Sequence, residues 1–216
     1  MRTSTTLLSV LIVVVFALSA CAGEDDGGGG GGGGGEPCEL MAGVPAFGAA
    51  VFTTPTTIDN TFFPLTPGNA SVYRLVAGGE IETVVSEVTA NTPTVNGVTC
   101  VEVHVQEYVD DLLMEDTLDW YAQDDVGNVW YLGEDVVNYQ YDDNDTLIGT
   151  NTNGSWEAGL DVAATGANAI AGIIMPATPA VGFTYYQEYY LTEAEDIAQI
   201  FALNVSVTLT DGRNFT

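Results

Sequence analysis

The sequence predicts an all-β domain, an antiparallel meander that forms a strongly curved sheet or an open half β-barrel. Three observations carry this. Short runs rich in Val, Thr, Tyr and Trp recur after residue 59 with Gly, Asn or Asp between them. Several of these runs alternate apolar and polar residues, the period of a strand with one buried face. A single stretch, Thr192-Glu193-Ala194-Glu195, reads as a helix start, with capping-box spacing. Apolar residues make up 46% and aromatics 10% of the 216 residues, which excludes disorder throughout.

Taken in order, Val72–Val76 is short and β-prone, and Ile81–Val88 follows the Gly78-Gly79 turn. Asn96-Gly97 is a hairpin signal leading into Thr99–Tyr108. There Val101, Val103 and Val105 face one way, and Cys100, Glu102, His104 and Gln106 the other. Met114–Ala122 is the next strand, with Leu118 and Trp120 on one face. The turn Asp124–Asn128 leads into Val129–Leu132, and Val136–Tyr141 follows. Phe183–Leu191 and Ala202–Leu209 are the late strands. In the last, Leu203, Val205, Val207 and Leu209 alternate with Asn204, Ser206 and Thr208. Asp211-Gly212 is a turn with little sequence after it, which predicts a chain lacking one or more closing strands.

The amino-terminal part reads as an address and a leash. Arg2 precedes a 14-residue apolar run, Leu7–Ala20, a length that suits a signal peptide better than a membrane span. The run ends in Leu18-Ser19-Ala20-Cys21, which resembles a bacterial lipobox. The resemblance implies cleavage before Cys21 and lipidation of its thiol, giving a cell-envelope protein held to the membrane through that anchor. Ala22 follows the cysteine rather than an Asp, which favours the outer membrane in a Gram-negative host. The resulting organisation is a signal over 1–20, lipidated Cys21 with a Gly-rich tether over 21–36, an extended lead-in over 37–58 and an all-β domain over 59–216. Nine consecutive glycines, Gly27–Gly35, make the tether a flexible coil. It reaches about 20 Å on average and about 50 Å at full extension. No strand, helix start or Lys surrounds these glycines, so a phosphate-binding loop is excluded.

Charge narrows the function further. Thirty Asp and Glu face three Arg and no Lys, a net charge of -27. A chain with so few cations cannot neutralise phosphates, which rules out nucleic acid as a partner. Thirteen acids and no Lys or Arg lie between Glu107 and Asp145. They read as a solvated acidic surface whose stability rises with salt. Ca²⁺ takes six to eight oxygen ligands, so Asp-rich loops are its candidates: Asp142, Asp143 and Asp145 first, then Asp124 and Asp125. Neither loop has the EF-hand spacing. His104 is the one histidine, and no nucleophile-elbow motif occurs, so no catalytic residues are assigned. Cys38 and Cys100 remain after Cys21 is lipidated and could form a disulfide outside the cytoplasm. Of the adjacent aromatic pairs, one member of each is expected in the core and the other is free to line a groove.

Several stretches together resemble a family of secreted bacterial proteins and lipoproteins of unknown function. They are Phe63-Pro64-Leu65-Thr66-Pro67-Gly68 with Val72-Tyr73, Asn96–Val101, Asp119–Asp124, Gly127–Tyr131 with Gly133-Glu134, Gly154–Gly159 and Gly172–Pro176. The resemblance spans most of 60–209 and implies strands beyond Thr216. The lipobox, tether and all-β pattern are also similar in architecture to Lol-type lipoprotein carriers, a likeness that implies no function by itself. Three functional classes follow. The first is a non-catalytic envelope module that binds or carries an apolar or amphipathic ligand. The second is a structural or adhesive acidic surface module using divalent cations such as Ca²⁺. The third is a hydrolase without a recognisable motif.

Overall fold

The computed structural model describes residues 42–209 and 211–215. The signal, Cys21, the Gly-rich tether and Cys38 lie outside the described residues. The strands in chain order begin with β1 (Ala70–Ala77), β2 (Glu80–Val88), the small separate hairpin β3 (Thr94–Val95) and β4 (Val98–Thr99), β5 (Val101–Val109), β6 (Leu112–Gln123), β7 (Val129–Tyr141) and β8 (Leu147–Asn151). Then come β9 (Trp156–Glu157), β10 (Ile170–Met175), β11 (Thr184–Tyr186), β12 (Glu188–Tyr189), β13 (Ile197–Gln199), β14 (Val207–Thr208) and β15 (Asn214–Phe215). The main sheet runs β1-β2-β5-β6-β7-β10-β12, antiparallel throughout, and curls into an open half-barrel. The long strand β7 is shared: β10 pairs with its first part, β9 with Gly133 and Glu134, and β8 with its last part.

A glycine permits that sharing. Gly133 sits at a bulge opposite Trp120 with φ +142°, a conformation side chains rarely adopt. A Cβ there would collide with the Trp156 carbonyl, so β9 can lie against β7 only because the residue is Gly. Gly172 does the same for the crossing chain, where a Cβ would meet the backbone of Gln187.

Burial separates the two faces. The register puts Val84 opposite Glu107, Val88 opposite Val103, Val105 opposite Thr117, Asp119 opposite Glu134, and Thr117 opposite Val136. Of these, Val84, Val88, Val103, Thr117, Asp119 and Val136 are buried, which marks this as the inner face. Leu118 and Trp120, the pair expected on one face of β6, do share a face, but it is the less buried one.

The core gathers at one end, around the β6–β7 turn. Tyr121 stacks on Tyr131 at 4.9 Å, and Tyr131 meets Trp156 edge-on at 5.3 Å. On the opposite side of the sheet Phe47 packs edge-on against Trp130. The residues expected to be an extended lead-in therefore cover this end: Phe47, Ala50, Phe52 and Ile58 all pack into the core. Because both faces are covered here, Trp130 and Tyr131 are both buried, and neither member of this pair is free to line a groove.

Other departures are local. Val129–Leu132 and Val136–Tyr141 are one strand, since Gly133 bends β7 without ending it. Phe183–Leu191 breaks into β11 and β12. Of Ala202–Leu209 only Val207 and Thr208 are in a strand. At Thr192 the capping contact forms, its N–H donating to Glu195 Oε2 at 2.9 Å. Thr192 has φ +68°, however, and the chain closes a turn in which Tyr190 bridges Ala194, with no helix.

Candidate functional site

The inner face carries a line of acids that the valine pattern builds. On β5, Val101, Val103 and Val105 point inward, and strict alternation puts Glu107 on the same side. Glu107 stands directly opposite Glu115 on β6, and Asp119 stands directly opposite Glu134 on β7. Directly opposed side chains have Cβ atoms roughly 5 Å apart, and two carboxylates so placed repel each other. Salt bridges do not relieve them: among the described residues the inner carboxyls pair with no Lys or Arg.

Protonation relieves them instead. Burial, reinforced by Glu115, Glu82 and Asp119, pushes Glu107 up to about 8. Burial pushes Asp119 up to about 7, against the Tyr131 hydroxyl that donates to Asp119 Oδ1 at 2.6 Å. Burial also raises Glu134 and Glu188, each helped by the carboxyls around it. Glu115 and Asp196 are raised by burial as well. The inner face thus mixes valines with acids whose burial favours the protonated form, in which a carboxyl donates as well as accepts hydrogen bonds. It is sealed at the β6–β7 end by Tyr121, Tyr131 and Trp156. Toward β1, Glu82, Glu107 and Glu115 are only half-buried.

The acids singled out for Ca²⁺ lie elsewhere. Asp124 is buried and holds the β6–β7 turn. Its carboxylate accepts from the N–H groups of Val126 and Asn128, the Asn128 amide and the Trp130 indole. With four donors already on its two oxygens it has little capacity for a cation. Asp125 fastens the lead-in, accepting from the Thr53 N–H at 2.7 Å and the Thr53 hydroxyl at 2.6 Å. Asp142 caps its own loop through the N–H groups of Asn144 and Thr146. Asp143 and Asp145 are exposed beside it. Among the described residues no three His, Cys, Asp or Glu side chains stand close enough to share a metal.

The remaining residues have structural partners. His104 Nε2 lies 2.8 Å from Asp116 Oδ1 on the less buried face. Cys100 is fully buried, its thiol donating to the Val98 carbonyl at 3.4 Å, and burial pushes that thiol up to about 12. Its pairing with Cys38 falls outside the described residues. Ser155 is bound to the Val136 backbone, whose N–H it accepts at 2.8 Å. A cleft of about 430 Å³ opens beside β9, bordered by Trp120, Trp156, Glu134 and Glu157.

Sequence reasoning grouped Glu107, Glu115, Asp119 and Glu134 with the solvated acids and did not single out Glu188. The signal for Glu107 was present as parity with Val101, Val103 and Val105. Asp119 likewise shares parity with Tyr121. Searches against protein-family models, curated proteins and solved structures return no match to this chain.

Proposed function

We propose that the chain is a lipoprotein of the cell envelope, anchored through Cys21, whose half-barrel is a non-catalytic binding module for an amphipathic ligand with a cationic or hydrogen-bonding head. One observation carries the reading: valines and unpaired, proton-holding carboxyls share the inner face, which is filled at the β6–β7 end and less covered toward β1. An apolar body would lie along Val84, Val105 and Val109. An ammonium head beside Glu107 and Glu115 would draw off their protons and replace mutual repulsion with attraction. An anionic head would face the full acidic field and be excluded.

Calorimetric titration with dodecylamine and with dodecanoate tests this. Dodecylamine should bind, dodecanoate should not, and the doubly substituted Glu107→Gln, Glu115→Gln chain should lose about tenfold in affinity, the scale of one charge-assisted contact. Equal binding of both amphiphiles, or binding unaffected by the double substitution, would overturn the placement of the head group. Binding of neither would overturn the module reading itself.

A further inference from the structure

The asparagines of this chain divide into two sets. Twelve occur, and five stand two residues before a Ser or Thr: Asn69, Asn144, Asn153, Asn204 and Asn214. That spacing, with no proline between, is the acceptor pattern for an N-linked glycan. Six of the other seven use their side chains to hold the fold. Asn60, Asn91, Asn128, Asn138 and Asn168 donate hydrogen bonds through their amides, and Asn151 accepts one. The seventh, Asn96, takes φ +46° at the β3–β4 turn. Asn69, Asn144, Asn153 and Asn204 are all exposed, and among the described residues no side chain of these four binds another strand or loop. Asn144 uses its side chain only toward Asp142, within its own loop.

Asn144 has the most complete form of the pattern. It lies in Asp142-Asp143-Asn144-Asp145-Thr146, with an acid two residues before it and a hydroxyl residue two after. None of the other four has an acid at that upstream position, the addition that distinguishes the bacterial form of the acceptor pattern. These residues form the tip between β7 and β8, where 142–146 are all exposed. The Asp142 N–H donates to the Thr146 carbonyl at 3.0 Å and closes the loop. The Asp142 carboxylate accepts from the N–H groups of Asn144 and Thr146 at 2.8 and 3.0 Å. Asp145, with φ +60°, turns the chain sharply. Acceptor amide and hydroxyl are thus presented on one tight turn, at the end of β7 away from Tyr131 and the core.

The residues just past the tip need cover. Leu147 and Ile148 open β8 and are 50% and 66% exposed. Strand β8 pairs only with β7 among the described residues, so these side chains stand on a sheet edge. On a chain of net charge -27, another carboxylate there would add repulsion. An uncharged glycan three residues before Leu147 shields the edge without that cost.

We propose that Asn144 carries an N-linked glycan. The co-reactant is a lipid-linked oligosaccharide, presented by an oligosaccharyltransferase. The Asn144 Nδ2 forms a bond to the anomeric carbon of the first sugar. The bond from that carbon to the lipid phosphate breaks, and the phosphate leaves with the electron pair. The amide nitrogen gives up one proton, which neutralises the charge the phosphate gains, and nothing is oxidised or reduced. The modification rests on the envelope reading above, because export is what brings the loop to the transferase.

The test uses the full chain, extracted in detergent from the cells that make it. Peptides carrying Asn144 and Cys21 are analysed separately by mass spectrometry, with electron-transfer fragmentation to place each modification. The expected result is sugar mass on Asn144. In chains returned to the same cells, Thr146→Ser should keep the glycan and Thr146→Ala should lose it, although Asn144 itself is unchanged. Residue 146 is exposed, so neither substitution disturbs the core. A bare Asn144 in a chain whose Cys21 carries lipid would overturn the glycan and leave the envelope reading standing. A glycan on Asn144 beside an unmodified Cys21 would support the glycan and overturn the anchor. Both residues bare would overturn both. A glycan confined to other asparagines, or kept at Asn144 in Thr146→Ala, would also overturn the proposal.

Discussion

The β6–β7 end and the β1 edge belong to one sheet but differ in almost every physical respect. At the first, both faces are covered, Trp156 and Tyr131 are fully buried, and a buried carboxylate, Asp124, accepts four hydrogen bonds. At the second, among the described residues, an eight-residue strand is exposed on both faces and held by one neighbour. The contrast teaches that close packing is concentrated at one end of the sheet and exposed surface at the other. The covered end supplies most of the buried apolar surface that stabilises the fold. Between them runs the line of inner acids, Glu107, Glu115, Asp119 and Glu134, which burial pushes toward the protonated form.

The largest expected effect strikes the covered end. Trp156→Ala should cost about 3–5 kcal/mol in chemical denaturation, because the indole is fully buried against Tyr131 and leaves a cavity. An effect as small as that of a surface substitution would erase the distinction between the two ends. Asp124→Ala should cost about 2–3 kcal/mol, since the Trp130 indole N–H and the turn amides lose their acceptor.

The region between the ends should announce itself through pH. Glu107 and Asp119 hold protons in the folded chain up to about 8 and about 7, whereas their ordinary values are 4.5 and 3.8. The folded state therefore binds more protons across that window, and stability falls as pH rises through it. Each such group contributes up to about 1.4 kcal/mol per pH unit. Its stabilising share is complete below about pH 4 and lost by about pH 8. Asp125 and Asp142 act in the opposite sense, their lowered values costing stability only in stronger acid. Melting measured from pH 4 to 9 should thus peak on the acid side of neutrality. Glu107→Gln should flatten the descent, and a profile that rises toward pH 8 would contradict the protonated inner face.

Salt gives a smaller effect. Melting temperature should rise by several degrees, about 5 °C, between low and molar NaCl as surface carboxylates are screened. A shift at millimolar CaCl₂ that NaCl does not reproduce would point to the Asp142–Asp145 loop as a specific cation site. The smallest effect belongs to β1 in the isolated chain. Val76→Ser should change stability by less than about 0.5 kcal/mol, because its side chain is already exposed.

The sequence by itself determined the class of fold. Alternation at 101–105 and the turns at Gly78-Gly79 and Asp124–Asn128 place β1, β2, β5, β6 and β7, and Asn96-Gly97 closes the small β3–β4 hairpin, because strand period and turn chemistry are local properties. The sequence also determined the acidic balance and the residues of the lipobox pattern. It did not disclose β8, β10 or β13, whose short runs become strands only by pairing with β7 or β11. Nor did it disclose that 43–58 packs on the core. The carboxyl line was half legible: parity marks Glu107 and Asp119 as inward, but a buried acid defies the expectation that charge faces water. Only the tertiary structure could decide that Glu107 meets Glu115 and Asp119 meets Glu134, because cross-strand register depends on bulges such as the one at Gly133. It alone decided, too, that β1 and 202–209 are exposed among the described residues. A strand pattern records the capacity to pair, and the partner is set by what the rest of the chain brings beside it.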